Sequence, residues 1–434
     1  MKKKIVYIGL SADMLHHGHI NLIKHAQKYG SLLIGLITDK VFSERKRLPL
    51  LNFQERKTIL ENIKGVDKVI AQNSWDYTIN LKKYRPEFML HGDDWLKGKE
   101  LNLRKKVKKT LESYGGKLIE VPYTKGISSQ ALADQRYSLG ITPEIRLKSL
   151  RRSLELKGFL RFIEAHSPIS AMIVENTKVN IKNNVKYFDG FWSSSLTDSA
   201  RLGKPDNEVL NISDRLYNIN QIFDVTTKPL IMDIDTGGKV EHLKINLASM
   251  ERLGISAIIM EDKKGLKKNS LLGTSVKQEQ ESIRDFSKKI KTIKLNQLNN
   301  EFMLISRIES FILNNGIDDA LKRAKSYINA GTDGIMIHSK KNNPKEVFEF
   351  AKKFRKNFKD VPLICVPTSY NSVKEDILIK KGFNIVIYAN HLFRAGYPSM
   401  QNTALSILKN GRSKEVDKKI ISIKEILNLI PGTI

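Results

Sequence analysis

Three acidic side chains at the ends of two apolar segments form the most informative pattern in this 434-residue chain. Asp233 and Asp235 end the segment KPLIMDIDTGG, and because one residue separates them, they point to the same side of a strand. Glu261 ends the next apolar segment, residues 256–260. Carboxylate oxygens gathered from two strand ends are the hard ligands that Mg²⁺ prefers. The pattern predicts that these three residues hold a magnesium ion.

A loop rich in lysine and glycine follows the second acidic segment. It reads EDKKGLKKNS over residues 261–270. Its lysines would attract an anion, and its glycine would allow the backbone to move. We therefore expect a lid that closes over an anionic substrate.

A second candidate site lies near the start of the chain, where His16, Gly18 and His19 form an HxGH motif directly after an apolar run. Glycine lets a phosphate approach the backbone, and a helix that begins there favours negative charge. Paired histidines can stabilise charge that develops on a phosphate under attack. Two later segments, HGDDW at 91–95 and YTKGISS at 123–129, follow further apolar runs. Together they predict a nucleotide site.

The elements that carry this second site alternate between short apolar strands and amphipathic helices. The predicted strands are 4–10, 32–38, 68–71, 88–91 and 117–121. Helices fit between them, for example at 18–29 and 52–62. This βαβ pattern is typical of a doubly wound parallel sheet. We predict a Rossmann-like domain over residues 1–132, followed by a polar helical linker over 133–149.

The remaining residues, 150–434, repeat strands and helices in a different rhythm. The predicted strands are 171–174, 190–192, 230–235, 257–261, 303–307, 334–338, 363–367 and 385–388. Helix-sized segments such as 240–253 and 316–330 separate them. Several of the strands end in polar residues, as the strands of an α/β barrel do at the active-site end. We predict an α/β (TIM-like) barrel domain.

The composition excludes several classes of protein. The formal charge of +28 invites a nucleic-acid partner, but the lysines are spread along the chain and no nucleic-acid motif accompanies them. We interpret the charge as a solvated surface and expect no nucleic acid. No apolar stretch reaches membrane-spanning length, so we expect no membrane association. The single cysteine, Cys365, excludes an internal disulfide framework and fits a reducing cytoplasm.

The HxGH motif and the two later segments make residues 1–132 resemble the cytidylyltransferase branch of the HxGH nucleotidyltransferases. The resemblance implies a Rossmann-like nucleotidyltransferase domain that binds CTP. In this family His16 and His19 would contact the triphosphate at its α-phosphate, with Gly18 and Asp93 also at the nucleotide.

The same resemblance implies roles for two more segments. Ser128 and Ser129 match the ISS/T segment of the family and would hold the β- and γ-phosphates. Gln130 stands where the family has a hydroxyl side chain. Of the basic residues 45–47, we assign Lys46 to the binding of the nucleotide and its acceptor, a phosphate or phosphonate.

The acidic pairs and the EDK(x5)NS stretch make residues 150–434 resemble the phosphoenolpyruvate mutase family of the isocitrate lyase superfamily. Further segments that match in order are WSSSL at 192–196, GKPD at 203–206, SRIE at 306–309, HSK at 338–340 and PTS at 367–369. The family carries glycine where this chain has Ser195. The resemblance implies conversion of phosphoenolpyruvate into phosphonopyruvate, with Mg²⁺ as cofactor.

Roles for the other residues of the barrel follow from the resemblance. Arg307 and His338 would hold the migrating phosphoryl group, and Asn269 would close the lid over it. Asp206 matches an acid of the active site. The residues that would line the substrate are Trp192, Ser194, Ser195, Leu196, Lys267 and Ser270.

We therefore expect a bifunctional enzyme of phosphonate biosynthesis, with the domain order of the fosfomycin-pathway fusion that this chain resembles. Its partners would be phosphoenolpyruvate, CTP and a small phosphonate, such as 2-hydroxyethylphosphonate or 2-aminoethylphosphonate. Because the mutase equilibrium disfavours the C–P product, a downstream phosphonopyruvate decarboxylase is implied. Barrels of this family associate through an exchanged C-terminal helix, which implies a homo-oligomer.

Three alternatives stay open. The barrel could be a phosphonopyruvate hydrolase, which shares most of the metal site, although the pair Asn269 and Ser270 favours the mutase. It could be a 2-methylisocitrate-type C–C lyase, but that family has a catalytic cysteine in the lid, and residues 261–270 contain none. A basic protein that binds nucleic acid on recycled enzyme folds is the third, and the intact acidic and histidine motifs argue against it.

Overall fold

The structure is a computed structural model that describes residues 4–45, 48–96, 100–122, 141–181 and 184–429. The described chain divides into two compact units. The first consists of the residues up to 141 together with 152–158, and the second of 142–151 together with 159 onward. One helix, Pro143–Lys157, contributes residues to both units. The predicted domain limits at 132 and 150 stay predictions, and residues 133–140 of the predicted linker lie outside the described part.

The first unit is built on a parallel sheet of five strands in the order β3-β2-β1-β4-β5. The strands are β1 Ile5–Leu10, β2 Ser31–Ile37, β3 Lys68–Gln72, β4 Phe88–Gly92 and β5 Lys117–Val121. The helices are α1 His17–Gln27, α2 Asp39–Arg45, α3 Phe53–Glu61, α4 Thr78–Tyr84 and α5 Leu101–Glu112. The predicted Rossmann-like domain is confirmed, and each strand begins and ends within one residue of its predicted limits.

The central strands of this sheet form because they are apolar nearly throughout, as strands covered on both faces must be. All of β2 except Ser31 is buried, and β1 pairs with β2 and β4 on its two sides. Gly35 on β2 passes close to Tyr7 on β1, where a Cβ would lie 1.8 Å from the tyrosine hydroxyl. This packing fixes β1 at the centre of the sheet, and the HxGH segment follows the carboxyl end of this strand.

The second unit is a closed barrel of eight parallel strands, as predicted. In chain order the barrel strands are β6 Leu160–Glu164, β9 Gly190–Ser193, β10 Leu230–Asp233, β11 Ala257–Glu261, β14 Met303–Ile308, β15 Gly334–Ile337, β16 Leu363–Cys365 and β17 Ile385–Tyr388. Each strand pairs with the next, and β17 closes on β6. The residues that end the strands therefore surround one mouth of the barrel.

Helices and two small ribbons surround the barrel. The helices are α6 Pro143–Lys157, α7 Pro168–Asn176, α8 Ser195–Ala200, α9 Ile212–Asp224, α10 Val240–Leu253, α11 Ile283–Asn296, α12 Gly316–Ala330, α13 Lys345–Asn357, α14 Glu375–Lys380, α15 His391–Asn410 and α16 Ile423–Leu429. The ribbons are β7 Lys178–Ile181 with β8 Asn184–Tyr187, and β12 Lys263–Lys264 with β13 Glu279–Gln280. The predicted limits of α10 and α12 are confirmed.

The strand predicted at 171–174 is wrong, because these residues lie in α7. Ser167 accepts a hydrogen bond from the Ser170 backbone as its N-cap, and Pro168 occupies the first turn, where proline is well tolerated. The missed first barrel strand is β6. The apolar residues of β6 are interrupted by Arg161, so the segment looks too polar in the sequence for a buried strand. In the structure the Arg161 side chain forms an ion pair with Glu375 at 2.7 Å.

The last two helices, α15 and α16, contain no buried residue. On α15, apolar side chains such as Tyr397, Met400, Leu405 and Leu408 are exposed. Apolar helix faces of this kind usually pack against another surface. Among the described residues, no helix combines the length and the apolar character that crossing a membrane requires.

Candidate active site

The end of β10 and the loop after it carry two of the predicted acids in a strained arrangement. Asp233 is the last residue of β10, and Asp235 has a φ of 53°, in the left-handed region that aspartate rarely adopts. The Asp235 backbone N–H donates to Asp233 Oδ1 at 3.1 Å, and its carbonyl accepts from the Glu261 N–H at 2.8 Å. Non-glycine strain of this kind is characteristic of functional sites.

Lys267 of the lid reaches into these acids. Its Nζ lies 2.5 Å from Asp235 Oδ1 and 2.7 Å from Asp206 Oδ1, and it also donates to the Ser195 hydroxyl. Ser195 in turn donates to Asp233 Oδ2 at 3.2 Å. Burial opposes the charge of Lys267, but the surrounding carboxylates outweigh it and raise the pKa of the ammonium. The hydroxyl that distinguishes Ser195 from glycine is thus part of the site.

Glu261 completes the acidic group at the end of β11. Burial raises its pKa to about 7, despite the attraction of Arg307 and Lys263. Neither of its carboxylate oxygens has a hydrogen-bond partner within the described part of the chain. Its ion pairs are with Lys263 at 3.1 Å and with Arg307 at 3.3 Å. A buried carboxylate whose oxygens accept no hydrogen bond can bind a further cation.

Burial also raises the pKa of Asp233, and the negative charge of Asp235 adds to the effect. The carboxylate oxygens of Asp233, Asp235 and Glu261 are the kind of ligand that a hard divalent ion such as Mg²⁺ prefers. In the described residues, however, no three histidine, cysteine or acidic side chains converge in a geometry that binds a metal. In the structure these carboxylates are paired with side-chain cations instead, Asp235 with Lys267 and Glu261 with Lys263 and Arg307.

A second charged group lies beside the acids, at the ends of β14 and β15. Arg307 Nε donates to Glu309 Oε1 at 2.6 Å, and an NH2 nitrogen of the same guanidinium lies 3.0 Å from His338 Nδ1. Burial, followed by the charge of Arg307, lowers the pKa of His338, so the ring is neutral and its Nδ1 accepts from the guanidinium. The Arg307 guanidinium is thus held by Glu309 and His338, and its NH2 nitrogen also lies 3.3 Å from Glu261 Oε2.

The lid lies closed on both groups. Asn269 Nδ2 donates to Asp206 Oδ2 at 3.1 Å. The Ser270 hydroxyl donates to Glu309 Oε2 at 2.5 Å and accepts from Arg307 NH2 at 2.6 Å. The structure therefore brings together the lid and barrel residues that the sequence predicted at 206, 267, 269, 270 and 307.

The base of the lid is anchored by Asp262, which is fully buried. Its Oδ2 accepts from Tyr327 at 2.7 Å, from Gln280 at 2.8 Å and from Arg323 at 3.2 Å. Gln280 belongs to β13, the strand that returns from the lid. Asp262 therefore joins both ends of the lid to α12.

The segment after β9 carries the remaining predicted residues. Trp192 is buried on β9, and its indole N–H has no hydrogen-bond partner among the described residues. Ser194 precedes α8 without a side-chain capping bond, and Leu196 in α8 is half-buried.

Two charged residues of the site, Asp198 and Arg215, were not singled out in the sequence, and two more, Lys263 and Glu309, lie in the matched segments but were assigned no role. Arg215 is buried and donates to Asp198, Ser193 and the carbonyl of Asp233. A signal was available in the sequence, because Arg215 lies on the same face of α9 as the buried Ile219 and Ile222. An arginine on an apolar helix face must find acid partners inside the protein.

The HxGH residues of the first unit meet at the start of α1. His16 is the N-cap, and its Nδ1 accepts from the Gly18 N–H at 3.2 Å. His19 Nδ1 accepts from the His16 N–H at 3.3 Å, and the two rings lie 4.0 Å apart. Both side chains are half-buried. Burial and the neighbouring His17 lower the pKa of His16, which keeps the ring neutral near neutral pH.

Asp93 follows β4, which pairs with β1, so it lies at the same sheet edge as the histidines. Its side chain is exposed. Three predicted residues, Lys46, Ser128 and Ser129, lie outside the described residues, and their assignments stay predictions.

The acids, the lid and the buried Arg–Glu–His group all lie at the carboxyl ends of the barrel strands, where α/β barrel enzymes carry their active sites. The family model for phosphoenolpyruvate phosphomutase matches residues 150–408, and a cytidylyltransferase-like model matches residues 7–135. The chain therefore belongs to the phosphoenolpyruvate phosphomutase family and carries a cytidylyltransferase domain before the barrel, which confirms the predicted fusion.

Relatives of each domain match this chain over most of their own length. Phosphoenolpyruvate phosphomutase of Tetrahymena pyriformis is 35% identical over 288 residues, which are 65% of this chain and 92% of the relative. Phosphonopyruvate hydrolase of a Variovorax species is 34% identical over 284 residues, 65% of this chain and 93% of the relative. Glycerol-3-phosphate cytidylyltransferase of Bacillus spizizenii is 31% identical over 139 residues, 32% of this chain and 99% of the relative.

A solved structure gives the same fold for the barrel. Phosphonopyruvate hydrolase in complex with oxalate and Mg²⁺ is 32% identical, with a TM-score of 0.58, and the match covers 67% of this chain and 95% of that one. Members of this superfamily have therefore been studied with Mg²⁺ bound.

Proposed function

We propose that the barrel interconverts phosphoenolpyruvate and phosphonopyruvate, and that the first domain transfers CMP from CTP to a small phosphonate. The observation that carries the barrel assignment is the closed lid. Lys267 and Asn269 both bind Asp206 above the acids, while Ser270 binds the Arg307–Glu309 pair. A site closed in this way holds a small anion between fixed cations and away from water.

In the proposed reaction the phosphoryl group leaves the enol oxygen and bonds to C3 of the same molecule. The transition state of such a transfer is loose, so positioning and electrostatics supply the catalysis. Arg307 and the neutral His338 would hold the phosphoryl oxygens, with the backbone of 194–196 on the other side. Asp206 would act by orienting Lys267 and Asn269.

Asp233, Asp235 and Glu261 would hold Mg²⁺. When bound, this ion would supply positive charge beside the enolate and carboxylate oxygens of the substrate. The support is the burial of the three carboxylates, the raised pKa of Glu261 and the hydrogen-bonding capacity that it leaves unused.

Phosphonopyruvate hydrolysis is the second candidate, because the hydrolase relative is nearly as similar as the mutase relative. The two reactions differ in whether water reaches the phosphoryl group. The hydrogen bond from Asn269 to Asp206 favours the mutase, because it seals the lid over the substrate.

In the first domain, we propose that His16 and His19 stabilise the α-phosphate of CTP while the phosphonate oxygen attacks it. The support is their position at the start of α1, because the N-terminus of a helix favours a bound anion. Gly18 leaves room for the phosphate, and Asp93 lies at the same sheet edge. Ser128, Ser129 and Lys46 would complete the site.

The partners follow from this chemistry. A phosphonopyruvate decarboxylase would remove the product of the mutase, and 2-hydroxyethyl- or 2-aminoethylphosphonate would accept CMP. We propose a cytoplasmic homo-oligomer in which α15 and α16 pack on a second copy. The support is that neither helix contains a buried residue although both carry apolar side chains.

The test uses the full chain with each substrate in turn. Phosphonopyruvate with Mg²⁺ is followed by phosphorus NMR, and we expect phosphoenolpyruvate as the main product. Pyruvate and phosphate as the main products would establish the hydrolase instead. CTP with 2-hydroxyethyl-, 2-aminoethyl- and methylphosphonate should give pyrophosphate with at least one of them, and no release with any would overturn the assignment of the first domain.

A further inference from the structure

Lys263 is a buried lysine that the proposed mechanism does not use. It lies on β12, one residue after Asp262, and its side chain is only 4% exposed. The next residue on the same strand, Lys264, is exposed. Burying an ammonium without partners is costly, so the position of Lys263 requires acceptors around it.

The lid supplies three acceptors. Lys263 Nζ donates to the Lys268 carbonyl at 2.6 Å, to the Ser270 hydroxyl at 3.0 Å and to Gln278 Oε1 at 3.2 Å. An ammonium has three N–H donors, and lid atoms take all three. Lys268 precedes the 3-10 turn Ser270–Ser275, and Gln278 follows it. One cation therefore ties the outgoing and returning arms of the lid together.

The barrel supplies the balancing negative charge. Lys263 Nζ lies 3.1 Å from Glu261 Oε1 and 3.8 Å from Glu309 Oε2, and both carboxylates are buried. Movement of the lid away from the barrel would separate the ammonium from these two carboxylates. Charged hydrogen bonds of this kind are stronger than neutral ones, so their loss opposes opening.

We propose that Lys263 is a positioning residue that holds the lid in its closed shape and thereby limits access of water to the phosphoryl group. It acts through Ser270, which binds Arg307 and Glu309. The proposal rests on the proposed mutase function. In the competing reaction that it limits, water oxygen bonds to phosphorus, the bond from phosphorus to C3 of phosphonopyruvate breaks, and C3 takes a proton to give pyruvate and phosphate.

The first test measures the lid without any catalysis. Hydrogen–deuterium exchange of the full chain is compared for the wild type, Lys263→Met and the matched control Lys264→Met. Peptides from 264–278 should exchange roughly tenfold to a hundredfold faster in Lys263→Met, because charged hydrogen bonds to the lid are lost. The control should match the wild type. Unchanged protection in Lys263→Met would overturn the proposal.

The second test measures the ratio of products from phosphonopyruvate by phosphorus NMR. The ratio of phosphate to phosphoenolpyruvate should rise in Lys263→Met and stay at the wild-type value in Lys264→Met. A general loss of structure lowers both products together, so slower turnover at an unchanged ratio would overturn the positioning role. Gln278→Met, which removes one lid acceptor and leaves the charge in place, should raise the ratio by less. No rise in that variant would also contradict the proposal.

The two failures can be told apart. If the wild-type chain interconverts nothing, the proposed mutase function fails, and the exchange experiment alone decides whether Lys263 holds the lid. If the wild type is active but Lys263→Met keeps the wild-type exchange rate and product ratio, only the proposed role of Lys263 is wrong.

Discussion

The two candidate sites of this chain hold their chemical groups in different ways. At the mouth of the barrel, acids and cations are buried and pair with one another, as Arg307 does with Glu309 and Lys267 with Asp235. At the start of α1, His16 and His19 are half-buried and hydrogen-bond to the backbone of their own helix turn.

This difference predicts different consequences of mutation. A charge removed from the barrel site leaves its partners buried without compensation, so stability falls together with activity. A histidine removed from the first site leaves groups that solvent can reach, so activity alone should fall.

Asp233→Ala has the largest expected effect. It removes a carboxylate at the centre of the acidic group, which accepts from Ser195 and from the Asp235 backbone. We expect interconversion of phosphoenolpyruvate and phosphonopyruvate to fall by roughly a thousandfold or more, as loss of electrostatic stabilisation does. CMP transfer should be unchanged. Phosphorus NMR measures both, and retained interconversion would show that Asp233 is not part of the site.

Arg307→Met should destabilise the barrel by about 3–5 kcal/mol, because Glu261 and Glu309 lose their buried partner. The measurement is the free energy of unfolding by urea, followed with a probe in the barrel. The exposed Arg412, which pairs with the half-buried Glu415, provides the control, since Arg412→Met should change stability by less than about 1 kcal/mol. Equal losses of stability in Arg307→Met and Arg412→Met would contradict the expectation that the buried charges of the barrel site depend on one another.

Asn269→Ala should cost roughly 2–4 kcal/mol of transition-state stabilisation, as loss of one positioned donor does. The lid loses its hydrogen bond to Asp206, so water should also reach the phosphoryl group more often. The value of kcat/KM and the yield of phosphate measure the two effects. Wild-type values of both would reopen the hydrolase and lyase alternatives.

His19→Ala should have the smallest effect on stability, within about 0.5 kcal/mol, because its site is partly open to solvent. CMP transfer should nevertheless fall by roughly a hundredfold or more, since a group that stabilises the attacked phosphate is lost. Pyrophosphate release and urea unfolding of the same protein give both values. A large loss of stability with normal CMP transfer would reverse the proposed contrast.

The sequence alone was enough to predict the two kinds of domain and their order, which the family matches confirm. Strands and amphipathic helices have characteristic periods, and these placed the strands of the first domain and the helices α10 and α12 correctly. Residue types at strand ends led to the prediction of Asp233, Asp235 and Glu261 as metal ligands, because the carboxyl ends of parallel strands must meet at one edge. The short HxGH motif was informative because it lies between a strand and a helix.

Only the tertiary structure decided which charged groups pair. Arg215 reaches Asp198 and the end of β10 from a different helix, and Lys263 meets Gln278 across the lid. Periodicity describes the neighbours of a residue along the chain, whereas a buried ion pair depends on which surfaces pack together in space. For the same reason the first barrel strand was missed. The polar side chain of Arg161 obscured β6 in the sequence, and only the fold shows that this strand pairs with β17 and β9 while Arg161 reaches Glu375.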